Sequence, residues 1–198
     1  MSERVKIILD KNADILRLPA IALRGLVVFP GNIIHFEVGR KKSIAAIEWA
    51  MSNNNAVFLT AQQDMDVEDP GFKDLYAYGV VAEVKQVLRV SDELVKVLVE
   101  GKYRAKLLTL DSSGRFLLAS TKAAALRGTK SVDSARVEAL VRSVKEAFEE
   151  YLSLNPRLSK DVVYTIITNE DAALLCDYIP ANLLLKYTDK QALLNEGT

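Results

Sequence analysis

The stretch that decides the fold is GVVAEVKQVLRVSDELVKVLVE, residues 79–100. Two apolar runs flank the short polar segment Ser91–Glu93, a pattern that predicts a β-hairpin. In the second run Lys96 and Glu100 alternate with valines, as expected for a strand with one face in solvent. The alternation of the first run slips at residues 86–88, which a β-bulge would explain. A sheet built around this hairpin is therefore predicted.

Further strand patterns surround the hairpin within residues 15–120. Short apolar runs bounded by proline or glycine recur there, and the polar segment Asp111–Gly114 predicts a second turn. The segment Ser43–Met51 has helical spacing of its apolar residues and predicts one short helix. The other predicted strand runs are 21–23, 27–29, 56–60, 107–108 and 116–118.

The hydrophobic period changes from residue 130 onward. Apolar residues from Val137 to Leu152 recur at spacings of one, three and four, which predicts a single stripe on a long helix. Asn155-Pro156 is expected to end this helix, because proline restricts the preceding residue and has no backbone N–H to donate. Three short helices are predicted to follow, at 160–167, 170–177 and 181–187.

Helix-start signals accompany the short helices. Ser159 and Thr168 are expected to be the N-caps of the first two, and Pro180 is expected to start the third. The run Thr188–Gln191 matches a capping box, with a threonine hydroxyl at the N-cap and a glutamine at N3. A final helix is therefore predicted through residues 192–194. Its shortness indicates either a chain cut from a longer polypeptide or one that ends in a docking helix.

Two domains are predicted, residues 1–127 and residues 128–198. The first carries 18 basic and 15 acidic side chains and the second carries 8 and 11, so their net charges are +3 and −3. Together with the change of period, this difference places the boundary near Arg127–Lys130. We expect a short polar linker there and a separate hydrophobic core on each side.

Composition excludes several classes of function. The chain has 49% hydrophobic residues, 26% charged residues and no net charge, which is typical of globular proteins and leaves no basic surplus for nucleic acid. One cysteine and one histidine exclude an internal disulfide and any metal site built from several Cys or His ligands. No apolar run approaches the roughly 20 residues that span a bilayer, and no signal peptide is recognised, so a cytoplasmic protein is expected.

No catalytic residue, metal site or cofactor is predicted. The glycine spacing of a phosphate-binding Walker A loop is absent at Gly39–Lys41 and at Gly101-Lys102. His35 is interpreted as a structural or surface residue rather than a member of a catalytic triad. Cys176 is interpreted as a small buried hydrophobe rather than a nucleophile. The acidic loop 64–69 is interpreted as solvated rather than as a calcium site.

Two basic clusters are open to alternative interpretations. The cluster Arg40-Lys41-Lys42 precedes the short helix and is interpreted as a solvated corner, with anion binding as the alternative. Lys102, Arg104 and Lys106 alternate with Tyr103 on a predicted strand, which is the one pattern consistent with a nucleic-acid face. The near-neutral charge of the chain disfavours that function, so nucleic acid is not expected as a partner.

Four blocks of sequence, in order along the chain, match a known family. They are Leu18-Pro19 through Leu23-Arg24 with Val27-Val28-Phe29-Pro30; Val38-Gly39-Arg40-Lys41-Lys42-Ser43-Ile44; Asp74-Leu75-Tyr76 with Gly79-Val80-Val81-Ala82; and Val97-Leu98-Val99-Glu100-Gly101 with Arg104-Ala105. In these blocks the chain resembles the N-terminal domain of Lon, the ATP-dependent serine protease of bacteria and organelles. The helical half is similar less tightly, and Ala22 stands where the family usually has proline.

The resemblance implies an α+β fold, in which a β-rich, PUA-like pseudo-barrel lobe with one short helix precedes an α-helical bundle. It also implies a non-catalytic domain that binds unfolded or degron-bearing proteins and helps to arrange the subunits of a homohexamer. ATP, magnesium, the AAA+ motor and the Ser-Lys peptidase belong to other parts of the full protease. No cofactor is therefore expected in these residues.

The loop of residues 29–34 is the predicted substrate contact. Pro30 and the glycine after it are expected to hold the apolar side chains of Phe29, Ile33 and Ile34 outward, where extended chains would meet them. The alternative, that Phe29, Ile33 and Ile34 belong to the core, stays open. Two other functions also stay open: a stand-alone Lon-like module that serves another protein, and a PUA-like RNA-binding module.

Overall fold

The computed structural model describes residues 15–124, 133–155 and 158–196. Over these ranges the chain is a mixed α+β protein with a six-stranded sheet. Its strands are β1 (Leu16–Leu23), β2 (Ile33–Val38), β3 (Ala56–Ala61), β4 (Tyr78–Arg89), β5 (Val95–Asp111) and β6 (Leu117–Ala123). Its α-helices are α1 (Lys41–Met51), α2 (Ser134–Leu154), α3 (Lys160–Thr168), α4 (Ala172–Asn182) and α5 (Tyr187–Asn195). The predicted linker at Arg127–Lys130 lies outside the described residues.

Strands β4 and β5 form the predicted hairpin. Their antiparallel register pairs Val84 with Val99 and then Gln86 with Leu98, so Lys85 is an extra residue on β4. This irregularity confirms the predicted bulge and places it one residue before the stretch where the alternation slips. The second predicted turn is confirmed as well, because β5 and β6 pair antiparallel on either side of it.

Strand β5 closes the sheet because its 17 residues are enough to pair with three other strands. It pairs with β2 through Val95–Glu100, with β6 through Ala105–Asp111, and with β4 along most of its length. Since β6 also pairs with β1, the order β5–β4–β3–β1–β6–β5 is a closed ring, which we call the barrel. Strand β2 lies outside this ring and, among the described residues, has a strand neighbour on one side alone.

Two buried clusters hold the barrel together. The first contains Phe29 and joins α1 to the sheet through Ala46 and Ile47, and the second is built around Leu18 and Phe58. The strands pack too closely at Gly79 for a larger residue, because a Cβ there would lie 2.2 Å from the carbonyl oxygen of Leu59. The helix predicted at Ser43–Met51 is confirmed: it packs on the barrel and begins two residues earlier, at Lys41.

Helices α2, α3 and α4 pack around a small cluster of their own. Its buried members are Val141, Phe148, Ile166 and Leu175. Helix α5 does not share this cluster: Leu194 is 1% exposed and belongs to the first barrel cluster. The expectation of a helical part with an entirely separate core is therefore wrong for α5, and the boundary at residues 127 and 128 stays a prediction.

Two local predictions of secondary structure are wrong. The apolar run 27–29 is buried but forms no strand, because it enters a turn in which Asn32 N–H donates to the Phe29 carbonyl at 3.2 Å. No separate helix begins at Pro180, because α4 continues through it to Asn182 and then ends. Proline removes one backbone hydrogen bond from the end of α4, and its side chain is buried there.

The helix caps follow the predictions in part. Ser159 is confirmed as the N-cap of α3, since its hydroxyl accepts from Val162 N–H at 3.3 Å. Thr168 is instead the last residue of α3, and Asp171 caps α4 by accepting from Ala173 N–H at 2.9 Å. The predicted capping box is wrong because α5 begins at Tyr187, which puts its threonine inside the helix.

None of the helices in the described part of the chain combines the length and the apolar character needed to cross a membrane.

Candidate functional site

The predicted contact loop is divided between the core and the surface. Phe29 is 0% exposed, so the expectation that it points outward is wrong and the core alternative holds for it. Ile33 is 61% exposed, whereas Pro30 and Ile34 are half-buried. Gly101 explains the burial of Phe29, because a Cβ at that glycine would lie 2.2 Å from the Phe29 carbonyl oxygen. The backbone of the loop is thus pressed against β5.

Strand β2 carries the exposed part of this loop along the edge of the sheet. Ile33, His35 and Glu37 are exposed, while the alternate residues Ile34 and Phe36 are half-buried against the core. This alternation puts His35 on the solvent face of the strand, in agreement with its interpretation as a surface residue. An edge strand presents backbone donors and acceptors to which another extended chain can bind.

A cleft of about 440 Å³ lies beside β2, between that strand, the end of β1 and the start of α1. We call it the β2 cleft. Its apolar lining comes from three separate segments of the chain, and its polar lining is concentrated where α1 begins. The apolar residues are Ile21, Leu23, Leu26, Phe36 and Val38, and the others are Arg24, Glu37, Gly39, Arg40 and Ser43.

Arg40 binds the acidic loop to the wall of the β2 cleft. Its guanidinium donates to the carbonyl oxygens of Ala22 and Val67, each at 3.2 Å, and to the side-chain oxygen of Gln62. Arg24 donates to the same Val67 carbonyl at 3.3 Å. Partial burial, followed by the nearby charge of Arg24, lowers the pKa of Arg40. Two positive charges therefore lie close together at one end of the cleft.

Helix α1 begins at that same end without a side-chain cap. Arg40 is its N-cap residue and makes no capping hydrogen bond, and the first turn contains no acidic residue. Ser43, in this first turn, lines the cleft and is 5% exposed. Lys42 points away to form an ion pair with Asp69 at 2.9 Å. The predicted solvated corner thus describes the exposed Lys41, whereas Lys42 is ion-paired and Arg40 lines the cleft.

The predicted basic face on β5 is not free to bind nucleic acid. Lys102 pairs with Glu83 at 2.9 Å and with Glu100 at 2.7 Å. Arg104 is 5% exposed and pairs with Asp177 of α4. Lys106, the third residue of the predicted face, is exposed and its Nζ lies 5.8 Å from the centre of the Tyr78 ring. Two of the three predicted basic side chains are thus engaged by acidic residues.

Arg104 also holds the C-terminal helices against the barrel. Besides its ion pair with Asp177, it donates to the Glu196 carbonyl at 2.7 Å. Burial raises the pKa of Asp177, and the charge of Arg104 opposes that change. Gln191 of α5 is 1% exposed and donates to the Tyr78 carbonyl at 2.9 Å. The sequence pattern contained no signal for these contacts, which join distant parts of the chain.

The remaining predicted candidates are Cys176 and the acidic loop 64–69. Cys176 is exposed, so its interpretation as a buried hydrophobe is wrong, and partial burial followed by the charge of Asp177 raises the pKa of its thiol. In the acidic loop, Asp64 accepts from Asp66 N–H and Asp69 pairs with Lys42, as expected for a solvated loop. Within the described ranges, no group of three or more His, Cys, Asp or Glu is arranged to hold a metal ion.

A second apolar surface lies on the helices α2–α4. Several large apolar side chains there are exposed although they belong to helices with one buried stripe. These residues are Leu140, Val144, Tyr164, Ile167 and Leu174, with exposures between 39% and 70%. These helices therefore leave several large apolar side chains in contact with solvent, beside a small buried cluster.

Comparison with known proteins adds the family. Residues 17–198 match the family described as the ATP-dependent protease La (LON) substrate-binding domain. The chain is 38% identical to a Lon protease of Desulforamulus reducens over 183 residues, which cover 92% of this chain and 22% of that protein. It is 36% identical to a Lon protease of Escherichia coli K12 over 184 residues, which cover 93% of this chain and 23% of that protein. The chain thus spans less than a quarter of the length of these relatives.

Solved structures with the same fold include the N-terminal domain of the Mycobacterium avium complex Lon protease. The match has a TM-score of 0.69 with 18% sequence identity and covers 91% of each chain. A Lon N-terminal domain protein from Xanthomonas campestris matches with a TM-score of 0.62 and 14% identity, over 92% of this chain and 91% of that one. At sequence identities this low, the structural similarity shows the fold alone.

Proposed function

Because the chain belongs to the substrate-binding domain family of the ATP-dependent protease La (LON), we propose that it binds polypeptide substrates for a Lon-type protease and is itself non-catalytic. The observation that carries this proposal is the β2 cleft, which places an apolar lining beside β2, an edge strand of the sheet that the described residues form. An edge strand binds an extended chain through main-chain hydrogen bonds, which depend little on sequence.

The substrates are unfolded or degron-bearing proteins. In a folded protein, apolar side chains and strand edges are already occupied, whereas an unfolded chain offers both at once. Ile33 and Ile34 on β2 and the lining residue Phe36 are the apolar side chains that such a chain would meet. The half-burial of Ile34 and Phe36 supports this role, because it leaves part of each side chain accessible beside the exposed Ile33.

The domain serves a larger machine. In our proposal the chain is the substrate-gathering part of a cytoplasmic homohexamer whose ATP- and magnesium-dependent motor and Ser-Lys peptidase lie outside these residues. The fold is of the PUA-like pseudo-barrel type, which the closed ring of strands supports. The exposed apolar residues of α2–α4 support a role for those helices in contacts between subunits, since such patches mark interaction surfaces.

The test is a titration of one protein in two states. A permanently unfolded variant and its folded parent are titrated with the chain, and binding is followed by fluorescence anisotropy. We expect the unfolded form to bind more tightly, at micromolar or weaker affinity, because a single domain lacks the avidity of a hexamer. Equal affinity for the two forms would refute the proposal. Hydrolysis of ATP or casein that survives further purification would refute its non-catalytic part.

A further inference from the structure

The end of the β2 cleft near α1 carries positive charge that no carboxylate neutralises at close range. Among the described residues, neither Arg24 nor Arg40 forms an ion pair, and both donate to the same backbone carbonyl. Of the acidic side chains nearby, Asp69 pairs with Lys42 at 2.9 Å and Glu37 of the lining pairs with Lys96 at 3.3 Å. Glu68 acts on the charge of Arg40 without forming an ion pair with it. Two guanidinium groups in this position favour the arrival of an anion.

The N-terminus of α1 opens at the same place. The first hydrogen bond of the helix that reaches back to its N-cap residue is donated by Ile44 to the Arg40 carbonyl at 2.9 Å. The N–H groups of the three residues before it have no intrahelical partner, and α1 has no side-chain cap. The helix dipole adds partial positive charge at this point, so the end of the helix favours a carboxylate.

Ser43 is a second, independent indication of a ligand. Its side chain lines the cleft, although the residue is only 5% exposed. Among the described residues its hydroxyl has no hydrogen-bond partner. The hydroxyl is therefore available to a ligand in the cleft. A carboxylate at the start of α1 would supply an acceptor for this hydroxyl and for the free N–H groups of the first turn.

The rest of the cleft indicates what the carboxylate is attached to. Only Gly39 and Arg40 separate the end of β2 from the start of α1. A chain paired with the free edge of β2 would therefore run along the apolar side chains of Leu26, Phe36 and Val38 and reach the helix terminus at one end. In an extended chain every second side chain points to the same side, so apolar residues and one acidic residue can all face the cleft.

We propose that the β2 cleft binds an extended substrate segment in which apolar residues are followed by an aspartate or glutamate, and that Arg24, Arg40 and Ser43 with the N-terminus of α1 bind its carboxylate. This inference rests on the proposed function and adds the chemistry that selects among unfolded segments. The apolar lining and the edge of β2 hold any extended chain, and the acidic side chain sets the register and improves the affinity.

The test uses the complete 198-residue chain and two fluorescein-labelled peptides of alternating valine and threonine with amidated C-termini. One peptide carries a single glutamate and the other carries glutamine at that position. We expect the glutamate peptide to bind about five- to tenfold more tightly at low salt, because a charge-assisted hydrogen bond adds roughly 1 kcal/mol or more. The substitutions Arg24→Gln and Ser43→Ala should each reduce this preference, and the former should remove most of it.

A matched control is Arg115→Gln, which makes the same change of charge at a side chain that is 76% exposed and outside the β2 cleft. It should leave the preference for glutamate unchanged. Arg24 is also exposed, so its substitution leaves the fold intact, and the circular dichroism spectrum checks this. An equal loss in Arg24→Gln and Arg115→Gln would show a general effect of charge and overturn the proposal.

Three further outcomes decide whether this inference and the proposed function fail separately or together. If the chain binds an unfolded protein but does not distinguish the glutamate peptide from the glutamine peptide, the carboxylate site is wrong and the proposed function stands. If a glutamine peptide with a free C-terminal carboxylate gains as much affinity as the glutamate peptide, the site binds chain ends and the assignment to an acidic side chain is wrong. If neither unfolded protein nor peptides bind, both proposals fail.

Discussion

The barrel and the helices α2–α4 bury apolar surface to very different extents. Apolar clusters extend through all six strands and α1, and Phe29 and Phe58 within them are 0% exposed. The helices α2–α4 share one small cluster and leave Leu140, Val144 and Tyr164 largely exposed. Since burial of apolar area is the main favourable contribution to folding, the barrel is expected to be the more stable region.

The difference teaches that an amphipathic pattern predicts a helix but not what the helix packs against. Helices α2 and α5 are separated from the barrel by the same change of hydrophobic period, yet only α5 contributes a side chain, Leu194, to a barrel cluster. Arg104 then ties Asp177 of α4 to the sheet. The two regions are thus joined at α4 and α5, and the following predictions test how independent they are.

The largest effects on stability are expected from large-to-small substitutions in the two cores, one in the barrel and one in the helices α2–α4. Phe58→Ala is expected to lower the free energy of unfolding by about 4 kcal/mol, because it removes a fully buried aromatic side chain from the barrel. Phe148→Ala is expected to increase amide hydrogen exchange in α2–α4 while the barrel amides stay protected. Denaturant titrations and hydrogen exchange measure the two effects.

The control for these substitutions is Phe72→Ala, at a side chain that is 48% exposed. It should change the stability by less than about 0.5 kcal/mol. If Phe148→Ala raises exchange in the barrel strands as much as in α2–α4, the two regions unfold as one cooperative unit.

The ion pair between Arg104 and Asp177 joins α4 to the barrel, and we call it the junction. Breaking the junction should have the next largest effect on stability. Arg104→Ala leaves the carboxylate of Asp177 without its partner in a place where little water reaches it, and should cost about 3 kcal/mol. Hydrogen exchange is expected to rise in α4 and α5 before it rises in the strands. Arg115→Ala is the control, because its ion pair with Glu48 is exposed and is worth less than about 1 kcal/mol.

The double substitution Arg104→Met with Asp177→Leu sharpens this test. It removes both charges together and should recover part of the lost stability, since apolar side chains can replace a buried ion pair. Unchanged protection of α4 and α5 in Arg104→Ala would show that the ion pair does not hold them to the barrel.

The pH dependence of stability should differ in sign between the barrel and the junction. Hydrogen bonds from Lys85 and Lys102 lower the pKa of Glu83, so Glu83 stabilises the fold above its unfolded pKa of about 4.3. This stabilisation is lost as the pH falls through the lowered folded pKa. Asp177 has a raised pKa, chiefly through burial, so its contribution is instead favourable at low pH and is lost as the pH rises through the folded value.

Glu83→Gln tests the pH dependence of stability that is predicted for the barrel. The stability difference between the wild-type chain and the variant should be less than about 1 kcal/mol at neutral pH, because the side chains involved are partly exposed. This stability difference should shrink toward zero well below the unfolded pKa of Glu83, which is about 4.3. A difference that stays constant from neutral to acidic pH contradicts the assignment of the lowered pKa to this ion pair.

The smallest effect on stability is expected at the predicted contact residue Ile33. Ile33→Ser should change the free energy of unfolding by less than about 0.5 kcal/mol, since the side chain is 61% exposed. It should weaken binding of an unfolded protein by about two- to threefold, because part of an apolar contact is lost. Leu88→Ser is the matched control, at a side chain 58% exposed on β4 that does not line the β2 cleft. Equal binding by the two variants would remove β2 from the substrate site.

Sequence reasoning placed the candidate contact at the start of β2 but named none of the residues that line the β2 cleft as substrate contacts. The apolar residues Ile33 and Ile34 follow a turn and are predicted contacts, and the structure places both on the edge strand beside the cleft. Arg24 and Ser43 belong to the blocks that carry the family resemblance, but no sequence pattern gives them a binding role, and Leu26 lies between the two parts of the first block. Their role depends on their meeting at one end of β2, which no local pattern describes. Phe29 was predicted to be an outward-facing contact but is buried, because the same apolar pattern fits both a surface loop and a core.

The sequence by itself determines the local elements of this protein and its family. The hairpin around Ser91–Glu93, its bulge, the helix α1 and the long helix α2 all follow from hydrophobic periods and turn residues, which act between near neighbours in the chain. The tertiary structure alone decides the closure of the barrel, the form of the β2 cleft and the docking of α5. These features depend on contacts such as that between Arg104 and Asp177, which are 73 residues apart. Such a contact depends on how the whole chain packs, and local periodicity contains no information about it.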